Sequence, residues 1–239
     1  MKKRIYEKKL SVPFYDADYL HRMKVSAILK EFSQLAGEDY IDRGMSHQFL
    51  SEHGGAFLVS RVALRIVRYP THGQRVTVST WESEQRGPLF IRAYAMTDEA
   101  GNLLAEEESG WLYVEIDTRK IVRPRDFPWL CPTIDRATGI HIERLGTADG
   151  ERVAEHPVTY SDMDANGHLY NATYGDIITN TLSRAEYERD IAEIYINYVH
   201  ETKYGDVLCI FRENGADGIL LTGKVGDAVC FESRLRFAR

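Results

Sequence analysis

One sequence frame occurs twice in this chain, as Val12–Arg22 (VPFYDADYLHR) and again as Val158–His168 (VTYSDMDANGH). The apolar, aromatic and acidic positions of the two copies agree without gaps. A second pair of stretches, Tyr69–Val76 and Glu201–Leu208, also aligns when the glycines at its centre are superposed. Self-similarity over so long a period indicates a duplicated domain and not a solenoid of short repeats. The sequence therefore predicts two related units in tandem.

The second copy of the frame carries polar residues where the first copy does not. Three positions change from apolar, basic and aromatic side chains to an amide, an imidazole and a carboxylate: Leu20 to Asn166, Arg22 to His168, and Tyr69 to Glu201. In an extended or turning backbone, side chains at i, i+2 and i+4 project to one side, so Asp164, Asn166 and His168 should converge. An acid, an amide and an imidazole at the start of a helix are the parts needed for acyl-group chemistry.

The bulk composition narrows the classes of function. The chain has 239 residues, of which 44% are hydrophobic and 28% charged, as in soluble globular proteins. No apolar run approaches the roughly 20 residues of a membrane span, and the charged start lacks the apolar segment of a secretory signal. Three widely spaced cysteines argue against a disulfide framework or a zinc site, and a net charge of −6 argues against a nucleic-acid partner. We therefore expect a cytoplasmic protein without a membrane span, a cofactor or a bound metal ion.

The hydrophobic pattern predicts an α+β fold. Apolar residues at helical spacing predict one helix over 25–40 and a second from its N-cap Asn171 to about Ala185. In the first unit, alternating or apolar runs predict strands over residues 4–12, 56–69, 75–84, 89–97 and 103–117. In the second unit they predict a short strand that ends near Tyr160, followed by strands over 192–201, 207–213, 219–225 and 228–237. Each unit should be an antiparallel sheet wrapped around one long central helix. The proline-containing residues 120–150 should link the units.

The order of strand, D-x-N-x-H turn and helix, with a glutamate shortly before a Gly-Asp strand start, resembles the acyl-acyl carrier protein thioesterases of plants and bacteria. The resemblance covers nearly the whole chain and implies a tandem double hotdog. An acyl-binding hotdog over 1–119 would be joined by a linker over 120–150 to a catalytic hotdog over 151–239. The implied function is that of a thioester hydrolase in fatty acid biosynthesis. It would hydrolyse the thioester of a fatty acyl group on acyl carrier protein, release the fatty acid and so terminate chain elongation. The partner is then the carrier with its phosphopantetheine-linked acyl chain, and the protein is a monomer or a homodimer.

The resemblance maps four site residues onto the second unit. The family's aspartate, asparagine, histidine and glutamate fall on Asp164, Asn166, His168 and Glu201. The plant enzymes commonly have a cysteine after the glutamate, where this chain has Thr202, so a cysteine nucleophile is not expected. Asn166 and amides of the helix start would polarise the thioester carbonyl, and His168 and Glu201 would activate water as a general-base pair. Asp164 would either orient its neighbours or attack the carbonyl itself.

Two further groups of residues have candidate roles. The first unit could form an apolar tunnel for the acyl chain, although the candidate wall residues could equally be core: Ile28, Leu29, Phe32 and Phe57. A basic group could dock an acidic carrier protein by charge complementarity or be part of a solvated linker: Arg119, Lys120, Arg123 and Arg125.

Other functions fit parts of the motif. Residues 162–167 match the start of a calcium-binding EF-hand loop, but Thr173 stands where the bidentate glutamate is required. A transition-metal site at His168 lacks a second histidine at ligand spacing, and His168 alone could be structural. The enzyme alternatives are an acyl-CoA thioesterase and a hydratase or dehydratase of related architecture. The alternative of another class is a non-catalytic fatty-acyl binding protein.

Overall fold

The strands of the computed structural model, which describes residues 2–238, form one continuous antiparallel sheet. The first unit contributes β1 (Tyr6–Ser11), β2 (Gly55–Ile66), β3 (Arg75–Arg86), β4 (Leu89–Asp98), β5 (Leu103–Glu115) and β6 (Ile121–Val122). The second unit contributes β7 (Glu151–Pro157), β8 (Ile191–Tyr198), β9 (Val207–Gly215), β10 (Gly218–Val225) and β11 (Ala228–Phe237). The predicted strands are confirmed, with ends that differ by no more than three residues, and β6 is an additional short strand.

The strand order is the same in both units when it is followed from the outer edge inward. The full order is β1-β3-β4-β5-β2-β8-β11-β10-β9-β7, with β6 paired to β5 outside this path. The units join where β2 pairs with β8, with Leu64 opposite Ile194, so backbone hydrogen bonds continue across the boundary. Both side chains are fully buried in the main core. The tandem double hotdog predicted from the sequence is therefore confirmed.

The two copies of the sequence frame have the same local structure. A short antiparallel bridge closes each copy, Ala17 with Met23 in the first and Met163 with Leu169 in the second. The valine that starts each copy donates its N–H to a carbonyl in the second pair of aligned stretches. Val12 donates to Gln74 at 3.0 Å in the first unit, and Val158 donates to Asp206 at 2.9 Å in the second. The alignment of the two units therefore corresponds to a repeated set of backbone hydrogen bonds.

The first predicted helix is confirmed as α1 (Val25–Asp42). Its apolar residues recur every three or four positions, so one stripe of the helix faces the sheet. Phe32 on that stripe is fully buried and stacks on Tyr94 of β4, with ring centroids 5.2 Å apart. A short helix, α2 (His47–Glu52), follows between the first predicted helix and the next predicted strand, where the sequence predicted neither. Ser46 caps it by accepting an N–H in its first turn at 3.1 Å. No helix within residues 2–238 combines the length and the apolar character that crossing a membrane requires.

The second predicted helix is interrupted. The chain forms α3 (Thr173–Thr179), a turn, and α4 (Arg184–Tyr187). The Thr181 hydroxyl donates back to the carbonyl of Ile178 at 2.7 Å, and Ser183 begins a new helix with a capping box. Such side-chain hydrogen bonds compete with helix propagation. The prediction of one long central helix is therefore confirmed in the first unit and wrong in the second.

α3 packs directly against α1. A Cβ atom on Gly175 would lie 2.9 Å from the backbone nitrogen of Ser26, so this approach requires glycine. The Ser26 hydroxyl donates to Asp176 at 2.6 Å across the same contact. Residue Ala172 is the N-cap of α3 and makes no side-chain hydrogen bond there, so the prediction of Asn171 as N-cap is wrong. The close packing brings the loop before α3 next to the first unit.

Candidate active site

The loop before α3 is built around the carboxylate of Asp164. Its Oδ1 atom accepts the backbone N–H groups of Asn166 (2.8 Å) and His168 (3.3 Å). The side-chain amide of Asn166 donates to Oδ2 at 3.4 Å. Gly167 has a φ of +78°, a conformation that favours glycine. The carboxylate therefore fixes the turn that carries Asn166 and His168.

The first unit contains the same turn around Asp18. Its Oδ1 atom accepts the N–H groups of Leu20 (2.9 Å) and Arg22 (2.8 Å). These residues occupy the frame positions of Asn166 and His168. The carboxylate thus shapes the backbone even in the copy that lacks the amide and the imidazole. An acid at this position has a structural role in both units.

His168 and Glu201 meet although they lie on different loops. The Nε2 atom of His168 is 3.2 Å from Oε2 of Glu201, and 27% and 33% of the two side chains are exposed. The other oxygen of Glu201, Oε1, is 3.0 Å from Nη1 of Arg119 in the first unit. The Glu201 carboxylate therefore lies between an imidazole and a guanidinium and remains accessible to water. An imidazole supported by a carboxylate in this way can accept a proton from water.

The four predicted site residues line one pocket of about 220 Å³. The second unit supplies Asp164, Asn166, His168 and Glu201, and the first unit closes the pocket with apolar side chains that include Phe57. The structure thus brings all four predicted residues together at the boundary between the units.

A second, mainly apolar cavity of about 360 Å³ lies between α1, α2 and β2. Asn166 and Phe57 line both this cavity and the polar pocket. Gly37 of α1 and Leu50 of α2 belong to the walls of the larger space. The two spaces therefore meet at one amide and one aromatic ring.

Three of the four predicted tunnel residues are not in the wall of this cavity. Ile28, Leu29 and Phe32 are buried in the main core, whereas Phe57 lines the cavity. The apolar stripe of α1 packs against the sheet, and the cavity is lined by a neighbouring face of the helix that includes Gly37. For those three residues the structure agrees with the alternative that they belong to the core.

Two tyrosines, the buried Tyr174 and the partly buried Tyr198, hold the pocket walls. The Tyr174 hydroxyl is 3.1 Å from the hydroxyl of Thr202, which is 1% exposed, and the Tyr198 hydroxyl donates to the carbonyl of Asn171 at 3.0 Å. Burial raises the pKa of Tyr174 to about 12 and raises the pKa of Tyr198 well above its ordinary value. Both phenols therefore stay protonated at neutral pH, and they support the loops as hydrogen-bonding groups.

The equivalent place in the first unit is filled by Arg22. Its guanidinium lies 4.8 Å from the centre of the Tyr69 ring and donates to Asp18 at 3.1 Å. It also donates to the carbonyl of Tyr187 in the second unit at 2.8 Å. The imidazole–carboxylate pair of one unit is thus replaced in the other by a contact between the units.

Two parts of the pocket were missed by the sequence prediction. One is the part of the apolar wall from the first unit that Leu58 and Leu112 form beside Phe57. The other is the contact between Arg119 and Glu201, because the basic group around Arg119 suggested only a docking surface or a solvated linker. Both depend on how the two units pack, and no local pattern in the sequence reports that packing.

Comparisons with known proteins identify the family. The family model for the acyl-ACP thioesterase N-terminal domain matches residues 3–126, and the model for the C-terminal domain matches residues 147–227. A chloroplastic acyl-[acyl-carrier-protein] hydrolase from Cuphea viscosissima is 24% identical over 163 residues, which cover 64% of this chain and 39% of that protein. This chain spans about two fifths of the length of the relatives that it matches by sequence.

Solved structures share the fold over nearly the whole chain. An acyl-ACP thioesterase from Bacteroides thetaiotaomicron superposes with a TM-score of 0.90 at 23% identity, over 98% of both chains. The 12:0-ACP thioesterase from Umbellularia californica gives a TM-score of 0.83 at 16% identity, over 98% of this chain and 97% of that one. At these identities the likeness establishes the fold. The two family models cover most of the sequence, and this chain belongs to the acyl-ACP thioesterase family.

Proposed function

We propose that this protein hydrolyses the thioester of a fatty acyl group on acyl carrier protein and so releases a free fatty acid, which terminates chain elongation. The observation that carries the proposal is the His168–Glu201 pair, 3.2 Å apart, in a pocket that meets an apolar cavity at Asn166. A proton acceptor, an amide donor and an adjacent apolar space are what the hydrolysis of a long-chain thioester requires.

In the proposed mechanism, water adds to the thioester carbonyl beside the His168–Glu201 pair. A neutral His168 whose Nε2–H faces Glu201 has a basic Nδ1, which takes a proton from water as the water oxygen bonds to the carbonyl carbon. The side-chain amide of Asn166 donates to the oxyanion that forms. Collapse of this intermediate breaks the carbon–sulfur bond, and the imidazolium returns its proton to the departing thiolate. The products are a fatty acid and the free thiol of the carrier.

We assign the oxyanion contact to the Asn166 side chain and not to the helix start. The sequence predicted a contribution from the backbone amides of a long helix. However, α3 has only seven residues, so few aligned peptide dipoles add to the field at its start. The amide of Asn166 is exposed toward the pocket and carries its own donor hydrogens.

Asp164 is proposed to orient its neighbours. Its Oδ1 atom accepts two backbone N–H groups of the loop, and Asp18 does the same in a unit that lacks the other polar residues. A carboxylate held by these hydrogen bonds is less nucleophilic, because an attack on a carbonyl carbon requires a free lone pair. A nucleophilic Asp164 would have to attack through Oδ2, the oxygen that accepts only the Asn166 side-chain amide at 3.4 Å.

The two units are proposed to have different tasks. The cavity between α1 and α2 would take the acyl chain, so that residues 1–119 form the acyl-binding unit and residues 151–239 the catalytic unit, with 120–150 as the linker. Phe57 and Asn166, which line both spaces, would then mark the place where the acyl chain meets the thioester. One chain would hold a complete site, either as a monomer or within a homodimer.

The carrier protein is proposed to approach on the side of the exposed basic residues at the end of the β5–β6 turn and just beyond β6: Lys120, Arg123 and Arg125. Positive charge there would speed the encounter with an acidic carrier. The composition favours the cytoplasm as the compartment, whereas the Cuphea relatives are named as chloroplastic proteins.

The proposal is tested by following thiol release from a panel of acyl carrier protein esters of increasing chain length, beside the same acyl groups on coenzyme A. We expect a higher kcat/KM on the carrier esters, with a maximum at one range of chain lengths. A higher value on coenzyme A esters would identify an acyl-CoA thioesterase. Tight acyl binding without any release of thiol would identify a binding protein and refute the proposed hydrolysis.

A further inference from the structure

Arg119 has a backbone conformation that is unfavourable for its side chain. Its φ is +57°, and His21 is the one other non-glycine residue between positions 2 and 238 with a positive φ. The turn is closed by hydrogen bonds from the N–H of Arg119 to the carbonyl of Glu115 and from the N–H of Glu115 to the carbonyl of Lys120, each 2.9 Å long. Glycine is the usual residue in such a conformation, because a Cβ atom there meets the backbone. An arginine at this position indicates a role beyond the turn itself.

The side chain of Arg119 extends from the first unit to the second. Its Nη1 atom is 3.0 Å from Oε1 of Glu201, while Oε2 of the same carboxylate is 3.2 Å from Nε2 of His168. With one oxygen on each partner, the carboxylate has a defined orientation. The contact is at the mouth of the pocket, since 63% of the Arg119 side chain and 33% of the Glu201 side chain are exposed.

We propose that Arg119 is a positioning residue that holds Glu201 against His168; this inference rests on the proposed hydrolysis. Without the guanidinium, Glu201 is free to rotate into solvent. His168 then loses the acceptor that keeps its proton on Nε2 and leaves Nδ1 basic. Arg119 contacts neither the water nor the acyl carbon in this mechanism, and it acts through Glu201.

Positioning can be separated from docking by the choice of substrate. If Arg119 only docked the carrier protein, it would affect only carrier-bound substrates. If it positions Glu201, it affects every thioester. An acyl thioester of N-acetylcysteamine has neither a carrier protein nor a phosphate group, so its hydrolysis reports the positioning role alone.

Three variants provide the comparison. Arg119→Gly removes the guanidinium and suits the positive φ, so its melting temperature should be equal to or above that of the wild type. Arg119→Lys keeps the charge but lacks the planar fork of donors. Asp117→Ala is the control, because Asp117 is exposed on the same turn and has no part in the mechanism.

On both the N-acetylcysteamine and the carrier thioester, we expect Arg119→Gly to lower kcat by about 10- to 100-fold. Arg119→Lys should keep part of the rate, added guanidinium ion should restore part of the rate of Arg119→Gly, and Asp117→Ala should match the wild type. If Arg119→Gly hydrolyses the N-acetylcysteamine thioester with the same kcat as the wild type, the inference is overturned, even if hydrolysis of the carrier thioester is slower. That result would leave the proposed function intact.

If the wild type hydrolyses neither thioester, the proposed function fails, and the contact itself is tested by NMR at one fixed pH. The ring ¹⁵N signals of His168, assigned by their loss in His168→Gln, should move in Arg119→Gly and stay in place in Asp117→Ala. Unmoved signals in Arg119→Gly would show that Arg119 does not act on the Glu201–His168 pair.

Discussion

The guanidinium of Arg22 lies 4.8 Å from the centre of the Tyr69 ring, at the two repeat positions that His168 and Glu201 occupy in the second unit. In the second unit the pair is an imidazole and a carboxylate beside an open pocket. In the first unit it is a cation–π contact. The same guanidinium also donates a hydrogen bond to the carbonyl of Tyr187 in the second unit. One duplicated turn therefore supports a candidate active site in one copy and a contact between units in the other.

Arg22→Ala should lower the free energy of unfolding by about 3 kcal/mol, because Asp18, with 6% of its side chain exposed, would lose its cation. Urea denaturation followed by circular dichroism measures this change. The matched control is Arg184→Ala, which removes a surface guanidinium paired with Glu188 and should unfold like the wild type. Equal stabilities of the two variants would contradict a structural role for Arg22.

Gly37→Leu should shift the released fatty acids to shorter chains. Gly37 lines the larger cavity, and a Cβ atom placed on it would meet no other atom within 4 Å, so a longer side chain can enter the space proposed for the acyl chain. Replacing a glycine within α1 also favours the helix by up to about 1 kcal/mol, so the fold should be kept. Chromatography of the products from a mixed acyl carrier protein pool measures the shift.

Gly37→Ala adds a single methyl group and is the graded control for this experiment. It should change the product profile less than Gly37→Leu does. Identical profiles for the wild type and both variants would mean that the acyl chain binds elsewhere.

Asp164→Asn should keep kcat within about tenfold of the wild type, whereas Asp164→Ala should lose about 100-fold or more. Asparagine can still accept the two backbone N–H groups that shape the turn, but it cannot form an acyl anhydride. Rates on one acyl carrier protein ester compare the two variants. If Asp164→Asn is as slow as Asp164→Ala, and acid quenching of the wild type yields an acylated Asp164 peptide, the residue is a nucleophile and its orienting role is refuted.

Glu186 should make stability depend on pH in the acid range. Hydrogen bonds from the Arg212 guanidinium, one of them 3.1 Å long, lower the pKa of Glu186 from 4.5 to about 2 despite partial burial, with help from Ser183. Because the pKa in the folded state is depressed, this stabilisation is complete above pH 4.5 and is lost as the pH falls toward 2.

Glu186→Gln should therefore be less stable than the wild type at neutral pH, by about 1 kcal/mol because the pair is partly exposed to water. The difference should shrink below pH 4.5. Unfolding free energies measured over a series of pH values follow it, and a difference that stays constant down to pH 2 would show that the Glu186 carboxylate is not the cause.

The local part of the site could be predicted because it depends on short-range geometry. Asp164, Asn166 and His168 alternate within one loop, so their convergence follows from the backbone period. Glu201 could be placed only through the alignment of the two units and the family resemblance. Its contact with Arg119 could not be predicted, because the contact depends on a positive φ in one unit and on the packing of that unit against the other.

The strands and α1 could be predicted from the sequence. The second helix could not, because side chains there compete with backbone groups for the hydrogen bonds that continue a helix. Apolar spacing alone suggested that the second helix continues, whereas Thr181 and Ser183 bond to the backbone and end it. The same kind of pattern cannot distinguish an apolar residue packed in the core, such as Phe32, from one that borders a cavity, such as Leu50.

The central claim is that the His168–Glu201 pair activates water for thioester hydrolysis. It is tested most directly by kcat/KM for His168→Ala and Glu201→Gln on the best acyl carrier protein ester, with circular dichroism to confirm that both variants are folded. The account predicts that both lose about 10²- to 10⁴-fold, the usual effect of removing a general base. Folded variants that keep rates within a few-fold of the wild type would contradict it.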